Sequence, residues 1–161
     1  MTKLSHIEIN ASDYAKSIRF YDMILSPLGW KRMVCTSDCT TYSDGSMKLV
    51  ISPTDSKYLS YGFHRKRIGL NHLAFSASSV KVVDEFHKNI LRGNSIECLY
   101  ETSPSGDQDY YALFFEDPDR IKIELVFAPG YCQDHHWTNQ IKNDFDPYKK
   151  IELQDALGPN T

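Results

Sequence analysis

Leu70-Asn71-His72-Leu73-Ala74-Phe75 repeats, 66 positions further along the chain, the pattern of Leu4-Ser5-His6-Ile7-Glu8-Ile9. The match continues without a gap for about twenty residues and aligns Phe20 with Phe86. A match at a fixed offset indicates two copies of one supersecondary unit. Each copy carries a histidine at the same position of its first predicted strand. If the copies are related by a pseudo-two-fold axis, these histidines converge, and paired histidines suggest a metal site.

The composition is that of a globular protein of ordinary size. The chain has 161 residues, of which 41% are hydrophobic and 24% are charged, and this length suits one compact domain. The formal net charge of −3 argues against nucleic-acid binding, which requires a concentrated basic surface. No apolar run has membrane-spanning length and no signal-peptide pattern begins the chain. We therefore expect a cytoplasmic protein without membrane partners.

Each copy is predicted to contain a strand, a helix and three further strands. The predicted boundaries are a single domain at 1–130, with module one at 3–52, a linker at 53–67 and module two at 68–128, followed by a C-terminal extension at 131–161. In that extension, His135 and His136 are interpreted as surface or packing residues rather than as zinc ligands.

Module two is predicted to be the longer copy. Its helix is expected at about 80–92, ended by Gly93, and a strand is expected near 95–100. Aligning the last strands of the two modules shifts the offset from 66 to 74, so module two carries about eight extra residues. These are most simply placed in the loop at 104–109.

Side chains alternate along a strand, which sorts the residues by face. The helices must cover the face of Ile7 and Ile9, so His6, His72 and Glu124 are predicted to share the opposite, enclosed face. Two imidazoles and one carboxylate can hold a divalent ion on one side and leave positions open for water or substrate. Alternatively, both histidines are core or interface residues, and Glu124 is paired with a lysine, Lys122 or Lys48.

Two further groups are candidates for binding or catalysis. His64 and Arg65 belong to a basic run just before the second histidine strand, and Arg65 could bind an anionic substrate group; alternatively the run is a solvated linker. Tyr110 and Tyr111 lie on opposite faces of one strand, so one of them is expected to line the pocket and donate a proton or a hydrogen bond. The alternative is a packed aromatic residue.

Four stretches carry a resemblance to a known superfamily: Phe63-His64-Arg65-Lys66, the Leu70–Phe75 hexapeptide, Tyr111-Ala112-Leu113-Phe114-Phe115-Glu116-Asp117-Pro118-Asp119, and Ile123-Glu124-Leu125. Over residues 3–128 the chain resembles the vicinal oxygen chelate superfamily of glyoxalase I, extradiol dioxygenases, fosfomycin-resistance transferases and bleomycin-resistance proteins. It looks most like a small bacterial subgroup known only as the glyoxalase/bleomycin resistance/dioxygenase family. The resemblance implies an α+β fold of two βαβββ modules whose eight strands make an open, cupped barrel with the helices outside.

The resemblance also implies a site and an assembly. Residues matching His6, His72 and Glu124 bind one divalent ion (Fe, Mn, Ni or Zn) in the metal-dependent members. Many members are homodimers, and in some of them the first histidine comes from one chain and the other two ligands from its partner. The fourth ligand of glyoxalase I aligns with Val50, which cannot bind metal, so glyoxalase I proper is not expected; Glu8 is an alternative ligand.

A second departure lies in the Asp-Pro-Asp turn, which usually continues with glycine but here continues with Arg120. A non-glycine residue is strained in the left-handed conformation, so a locally different turn is expected.

The expected function is a divalent-metal enzyme, a lyase or dioxygenase, acting on a small substrate that chelates the metal through neighbouring oxygens. One alternative is a binding protein without chemistry, like the bleomycin-resistance proteins. Another is a structural homodimer with a vestigial site.

Overall fold

A computed structural model describes residues 2–131 of the chain. The chain divides into one unit of residues Met1–Pro129 and a second of Gly130–Thr161. The described part covers the first unit almost completely and reaches only Tyr131 in the second, so the predictions for the extension and for His135 and His136 lie outside it. Among the described residues, no helix combines the length and apolar character needed to cross a membrane.

The described part contains eight strands and two α-helices, joined by short helical turns. The elements of module one are β1 (His6–Ala11), α1 (Tyr14–Leu25), β2 (Lys31–Cys35), β3 (Thr40–Ser43) and β4 (Lys48–Pro53). The elements of module two are β5 (His72–Ser76), α2 (Val80–Phe86), β6 (Ser105–Gly106), β7 (Tyr111–Glu116) and β8 (Lys122–Phe127). A 3₁₀ helix, Ser56–Tyr61, lies in the segment between the modules.

The strands form two four-stranded sheets of identical topology, β1-β4-β3-β2 and β5-β8-β7-β6. In each sheet the first strand pairs in parallel with the last, and the other pairs are antiparallel. This confirms the predicted α+β fold of two βαβββ modules. The eight strands remain in two separate cupped sheets and do not close into one barrel.

The alternation of side chains in β1 follows the prediction. Ile9 and Ala11 are buried, whereas His6, Glu8 and Asn10 are exposed. Because helix α1 supplies a buried stripe at helical spacing, it covers the apolar face and leaves the histidine face open. The helix begins after Asp13, whose side chain accepts a hydrogen bond from the backbone N–H of Lys16 at 2.9 Å.

Helix α1 also holds the two modules together. The ring of Phe20 lies 6.3 Å from the ring of Phe115 in module two. The hydroxyl of Tyr21, which is fully buried, donates to the Asp117 carboxylate at 2.9 Å. Since these partners lie in the turn and strand that precede β8, the core of the first unit is shared between the modules.

The second helix differs from the prediction of a regular helix over 80–92. It is α-helical only to Phe86, continues as a π-helical turn over His87–Leu91 and a 3₁₀ turn over Arg92–Asn94, and ends at Ser95 with φ of 56°. Phe86 and Leu91 are both buried, although they are five residues apart. A wider turn brings residues at this spacing to one face, which a regular α-helix would not do. The prediction that Gly93 ends the helix was therefore also wrong.

The predicted strand near residues 95–100 was wrong as well. This segment contacts β7 through one backbone bond, from the Leu99 N–H to the Phe114 carbonyl at 2.7 Å. The fourth strand of the sheet is instead the two-residue β6, in the loop predicted as an insertion. Gly106 permits this pairing, because a Cβ atom there would lie 2.0 Å from the Tyr110 carbonyl oxygen.

The turn before β8 keeps the conformation that the sequence argued against. Arg120 is left-handed, with φ of 68°, and its N–H donates to the Asp117 carbonyl at 3.0 Å. The Asp117 side chain accepts hydrogen bonds from the N–H groups of Asp119 and Ile121 at 2.9 and 2.8 Å. These bonds fix the turn, so the expectation of a locally different turn was wrong.

Candidate functional site

His72 and Glu124 lie side by side on the face of the second sheet that α2 does not cover. Strands β5 and β8 are parallel neighbours, and the Cα partner of Glu124 is Ala74, two residues after His72 on the same face. The Nε2 atom of His72 lies 3.0 Å from Oε2 of Glu124. The structure thus brings together two of the three residues predicted to bind metal.

The other ring nitrogen of His72 is engaged by the preceding residue. Nδ1 lies 2.8 Å from the side-chain oxygen of Asn71, and the Asn71 amide nitrogen donates to the Arg65 carbonyl at 3.4 Å. With its nitrogen turned to a carbonyl, Asn71 presents its oxygen to His72, so Nδ1 carries the proton. In neutral His72 the lone pair of Nε2 therefore faces the Glu124 carboxylate.

Glu124 is 3% exposed and accepts a hydrogen bond from the Tyr110 hydroxyl. Among the described residues its ion-pair partner is His72, and neither of the lysines considered as alternative partners, Lys122 and Lys48, pairs with it. A buried carboxylate must be compensated by its neighbours, which here are the Tyr110 hydroxyl and the His72 imidazole. The arrangement suits a group that binds a cation.

His6 occupies the equivalent place in module one but does not join this pair. Its Nδ1 lies 3.2 Å from the hydroxyl oxygen of Ser5, the residue equivalent to Asn71. Within residues 2–131 no three His, Cys, Asp or Glu side chains are grouped to hold a metal ion. Glu8, the alternative ligand, accepts a hydrogen bond from the Ser52 hydroxyl at 2.6 Å. The metal roles of His6, His72 and Glu124 stay a prediction.

The remaining candidates are placed as follows. Arg65 forms an ion pair with Glu116, and both side chains are less than one quarter exposed. His64 accepts a hydrogen bond at Nδ1 from the Lys66 N–H at 3.2 Å, within its own turn. Arg65 thus reaches the second sheet, but its charge is already compensated by a carboxylate there.

The two tyrosines lie on opposite faces of the sheet. Tyr110 contacts Glu124, whereas Tyr111 donates to the Asp84 carboxylate of helix α2 at 2.8 Å. Desolvation and Asp84 raise the pKa of the Tyr111 hydroxyl, which keeps its proton in place. Of these two tyrosines, it is Tyr110 that contacts the His72–Glu124 pair.

Sequence reasoning missed the role of Asn71 and Ser5. The available signal was the repeat itself, because each histidine is preceded by a residue with a side-chain oxygen. It also missed Glu116 as the partner of Arg65, since nothing in the sequence links a linker residue to the end of β7.

Two cavities in the described part of the chain lie near strand β1, away from the His72–Glu124 pair. Their volumes are about 280 and 320 Å³. The first is lined by β1 and the linker and the second by β1, β4 and β5, and neither is lined by His72 or Glu124.

Comparison with known proteins agrees with this architecture. The profile of the Glyoxalase/Bleomycin resistance protein/Dioxygenase superfamily matches residues 3–125. The uncharacterised protein YqjT of Bacillus subtilis is 40% identical over 129 residues, which cover 79% of this chain and 99% of that protein.

Solved structures are similar too. The crystal structure of a protein from Bacillus halodurans, provisionally described as a glyoxalase, is 41% identical with a TM-score of 0.72, covering 77% of this chain and 94% of that one. The fosfomycin resistance protein FosX of Listeria monocytogenes is 21% identical with a TM-score of 0.60, covering 80% of this chain and 94% of that one; this likeness concerns the fold alone. The chain belongs to the Glyoxalase/Bleomycin resistance protein/Dioxygenase superfamily.

Proposed function

We propose that the chain is a divalent-metal enzyme of this superfamily whose metal is held by His72 and Glu124 of one copy and by His6 of a second copy. The observation that carries the proposal is the 3.0 Å separation between Nε2 of His72 and Oε2 of Glu124. With the proton on Nδ1, two lone pairs face each other, which is unfavourable unless a cation or a proton lies between them. Metal-binding histidines commonly donate the other ring N–H to an oxygen, as His72 does to Asn71.

The second copy is proposed because His6 lies apart from His72 and Glu124 within a single chain. His6 lies on an exposed sheet face with the same type of Nδ1 contact, but apart from the other two ligands. The edge strand β2 of the same sheet is exposed along its whole length, and Met33 in it is 63% exposed. Apolar side chains on an open strand edge favour association with another sheet. A homodimer would cover these residues and add His6 to the pair.

The chemistry follows from the donor set. Two imidazoles and one carboxylate leave coordination positions open, where a bound divalent ion supplies Lewis-acid stabilisation of an enolate or alkoxide, or oxygen chemistry if it is Fe(II). Tyr110 is the proposed hydrogen-bond or proton donor, because its hydroxyl contacts Glu124 and could turn to a substrate beside it. His64 and Arg65 are proposed to border the substrate from the linker.

The test is elemental analysis of protein purified without chelators or a metal-binding tag. Wild type should contain about one metal equivalent per chain, and His72→Ala should contain little, whereas His87→Ala on the second helix should retain it as the matched control. Equal metal content in wild type and His72→Ala would overturn the proposal, and a metal-free wild type would favour a binding protein without chemistry.

Subunit complementation tests the contribution of the second copy. When His6→Ala and His72→Ala chains are co-expressed, a mixed dimer contains one site with all three ligands, provided that the ligands come from two copies. The purified mixed dimer should then contain about half of the wild-type metal, and the unseparated sample about a quarter, because random pairing leaves half of the dimers mixed. If both variants lack metal and the mixture remains empty, the ligands come from one chain and this part of the proposal fails.

A further inference from the structure

Two lysines occupy equivalent positions beside the two histidines. Lys48 and Lys122 align in the repeat, each as the second residue of the five-residue stretch near the end of its module, 47–51 and 121–125. In the parallel ladders, Lys48 is the Cα partner of His6, and Lys122 is the Cα partner of His72. Partners in neighbouring strands are about 4.8 Å apart and project from the same face. Each histidine of the proposed metal site therefore has a lysine as its neighbour in the adjacent strand, on the same face of the sheet.

These two charges are not neutralised within the described part of the chain. Neither lysine takes part in an ion pair there. The natural partner of Lys122 would be Glu116, which lies directly opposite in β7. Glu116 instead pairs with Arg65 and Arg120, so the carboxylate nearest to Lys122 is already occupied.

Lys122 is held in place even without an anionic partner. Its ammonium lies 5.1 Å from the centre of the Phe114 ring, and Phe114 is the register partner of Glu124. A cation over an aromatic face is stabilised without losing its charge. Phe114 belongs to β7, which flanks β8 on the side opposite to β5, so the contact holds the ammonium on the sheet face of Glu124 and across β8 from His72.

We propose that Lys48 and Lys122 bind an anionic group of the substrate, which makes the substrate class a small oxyacid with a carboxylate or phosphonate-type group beside its metal-chelating oxygens. This inference rests on the proposed function, and one lysine would come from each copy together with its histidine. A divalent ion with two neutral imidazoles and one carboxylate retains positive charge, and two ammonium groups add to it. Such a field favours an anion over a neutral chelator. Arg65, whose charge Glu116 compensates, contributes less to this field.

The test compares ligands that differ in charge and share the chelating geometry. Oxalate is a dianion, phosphonoformate replaces one carboxylate by a phosphonate, and glycolamide is a neutral chelator with neighbouring oxygens. Each is titrated calorimetrically into metal-loaded wild type, Lys48→Gln, Lys122→Gln and Lys81→Gln. Lys81 is the matched control, because it is a solvent-exposed lysine of helix α2 whose loss changes the net charge equally.

The expected result is a selective loss of affinity for the anions. Lys48→Gln and Lys122→Gln should each weaken oxalate binding by about tenfold and leave the affinity for glycolamide within about twofold of wild type. Lys122→Arg should restore most of the affinity, and Lys81→Gln should behave as wild type. The tighter of oxalate and phosphonoformate identifies the type of oxyacid.

Metal content measured on the same samples separates the two proposals. If metal is retained but the Lys48→Gln and Lys122→Gln variants bind oxalate as well as Lys81→Gln does, the lysine assignment is wrong and the proposed metal site stands. If wild type itself retains no metal, the proposed function fails and the lysine assignment fails with it.

Discussion

Replacing Asp117 by asparagine should make the protein less sensitive to pH. Asp117 is 6% exposed, and its desolvation raises the pKa of the carboxyl from 3.8 to about 6, although hydrogen bonds from Ile121, Tyr21 and Asp119 act in the opposite direction. The side-chain oxygen of the introduced asparagine could still accept the two backbone N–H groups, and its amide could donate to the Tyr21 oxygen. The substitution therefore removes the ionisation while keeping the contacts.

The direction in which stability changes with pH follows from which state, folded or unfolded, binds the Asp117 proton more tightly. Between about pH 4 and pH 6 the folded state keeps the Asp117 proton and the unfolded state releases it, so the free energy of unfolding falls as pH rises. Above about pH 6 the Asp117 carboxyl is ionised in both the folded and the unfolded state, and the free energy of unfolding does not fall further on its account. A difference of about two pKa units corresponds to a loss of up to about 3 kcal/mol. This value is an upper limit for the single group.

The assay is urea denaturation of wild type and Asp117→Asn at intervals from pH 4 to pH 7.5. The difference in unfolding free energy between the two proteins should shift in favour of Asp117→Asn by up to about 3 kcal/mol across this interval. Other titrating groups cancel in this difference. Asp38→Asn, at an exposed aspartate of the β2–β3 turn, should follow wild type at every pH. Parallel curves for wild type and Asp117→Asn would refute the reasoning.

Two further predictions concern the site and the turn. Asn71→Leu removes the acceptor for the His72 Nδ1 proton and should weaken metal binding by about 10- to 100-fold, as measured by competition with a chromophoric chelator. Asn71→Asp keeps an acceptor and should bind metal nearly as well as wild type. Unchanged metal affinity in Asn71→Leu would contradict the assigned tautomer. Arg120→Gly relieves the strain of a left-handed non-glycine residue but removes the ion pair between the exposed Arg120 side chain and Glu116. The substitution should stabilise the protein by about 0.5–1 kcal/mol and raise the midpoint of thermal unfolding by a few degrees. An unchanged or lower midpoint would show that the turn is not strained.

Most of the fold could be predicted from the internal repeat and from the alternation of side chains along the strands. They were sufficient to predict two βαβββ modules and to place His6 and His72 on the open faces, because both depend on local periodicity. The interrupted second helix was not predictable in this way, since it reflects the need to bury Phe86 and Leu91 on the same sheet. The strand β6 depends on the close approach of Gly106 to Tyr110, a contact that appears only when β7 is in place.

The sequence named the candidate residues of the site but not the contacts that support them. The histidines and the glutamate were recognisable by residue type and face. The interaction of Glu116 with Arg65 was not, because it joins residues 51 positions apart. That interaction leaves Lys122 rather than Arg65 as the cation without a carboxylate partner among the described residues of the second sheet.

The contacts of helix α1 with module two have a consequence for the order of folding during synthesis. Module one has all its strands once β4 has left the ribosome, because β4 lies between β1 and β3. Tyr21, however, reaches its partner only when Asp117 has been made, 96 residues later in the chain. Until then the nascent chain exposes the side chains of α1 that pack against module two, Phe20 and Tyr21, and has reason to engage a chaperone. Duplication therefore produced two modules of one design, of which the first completes the burial of its helix only when the second is present.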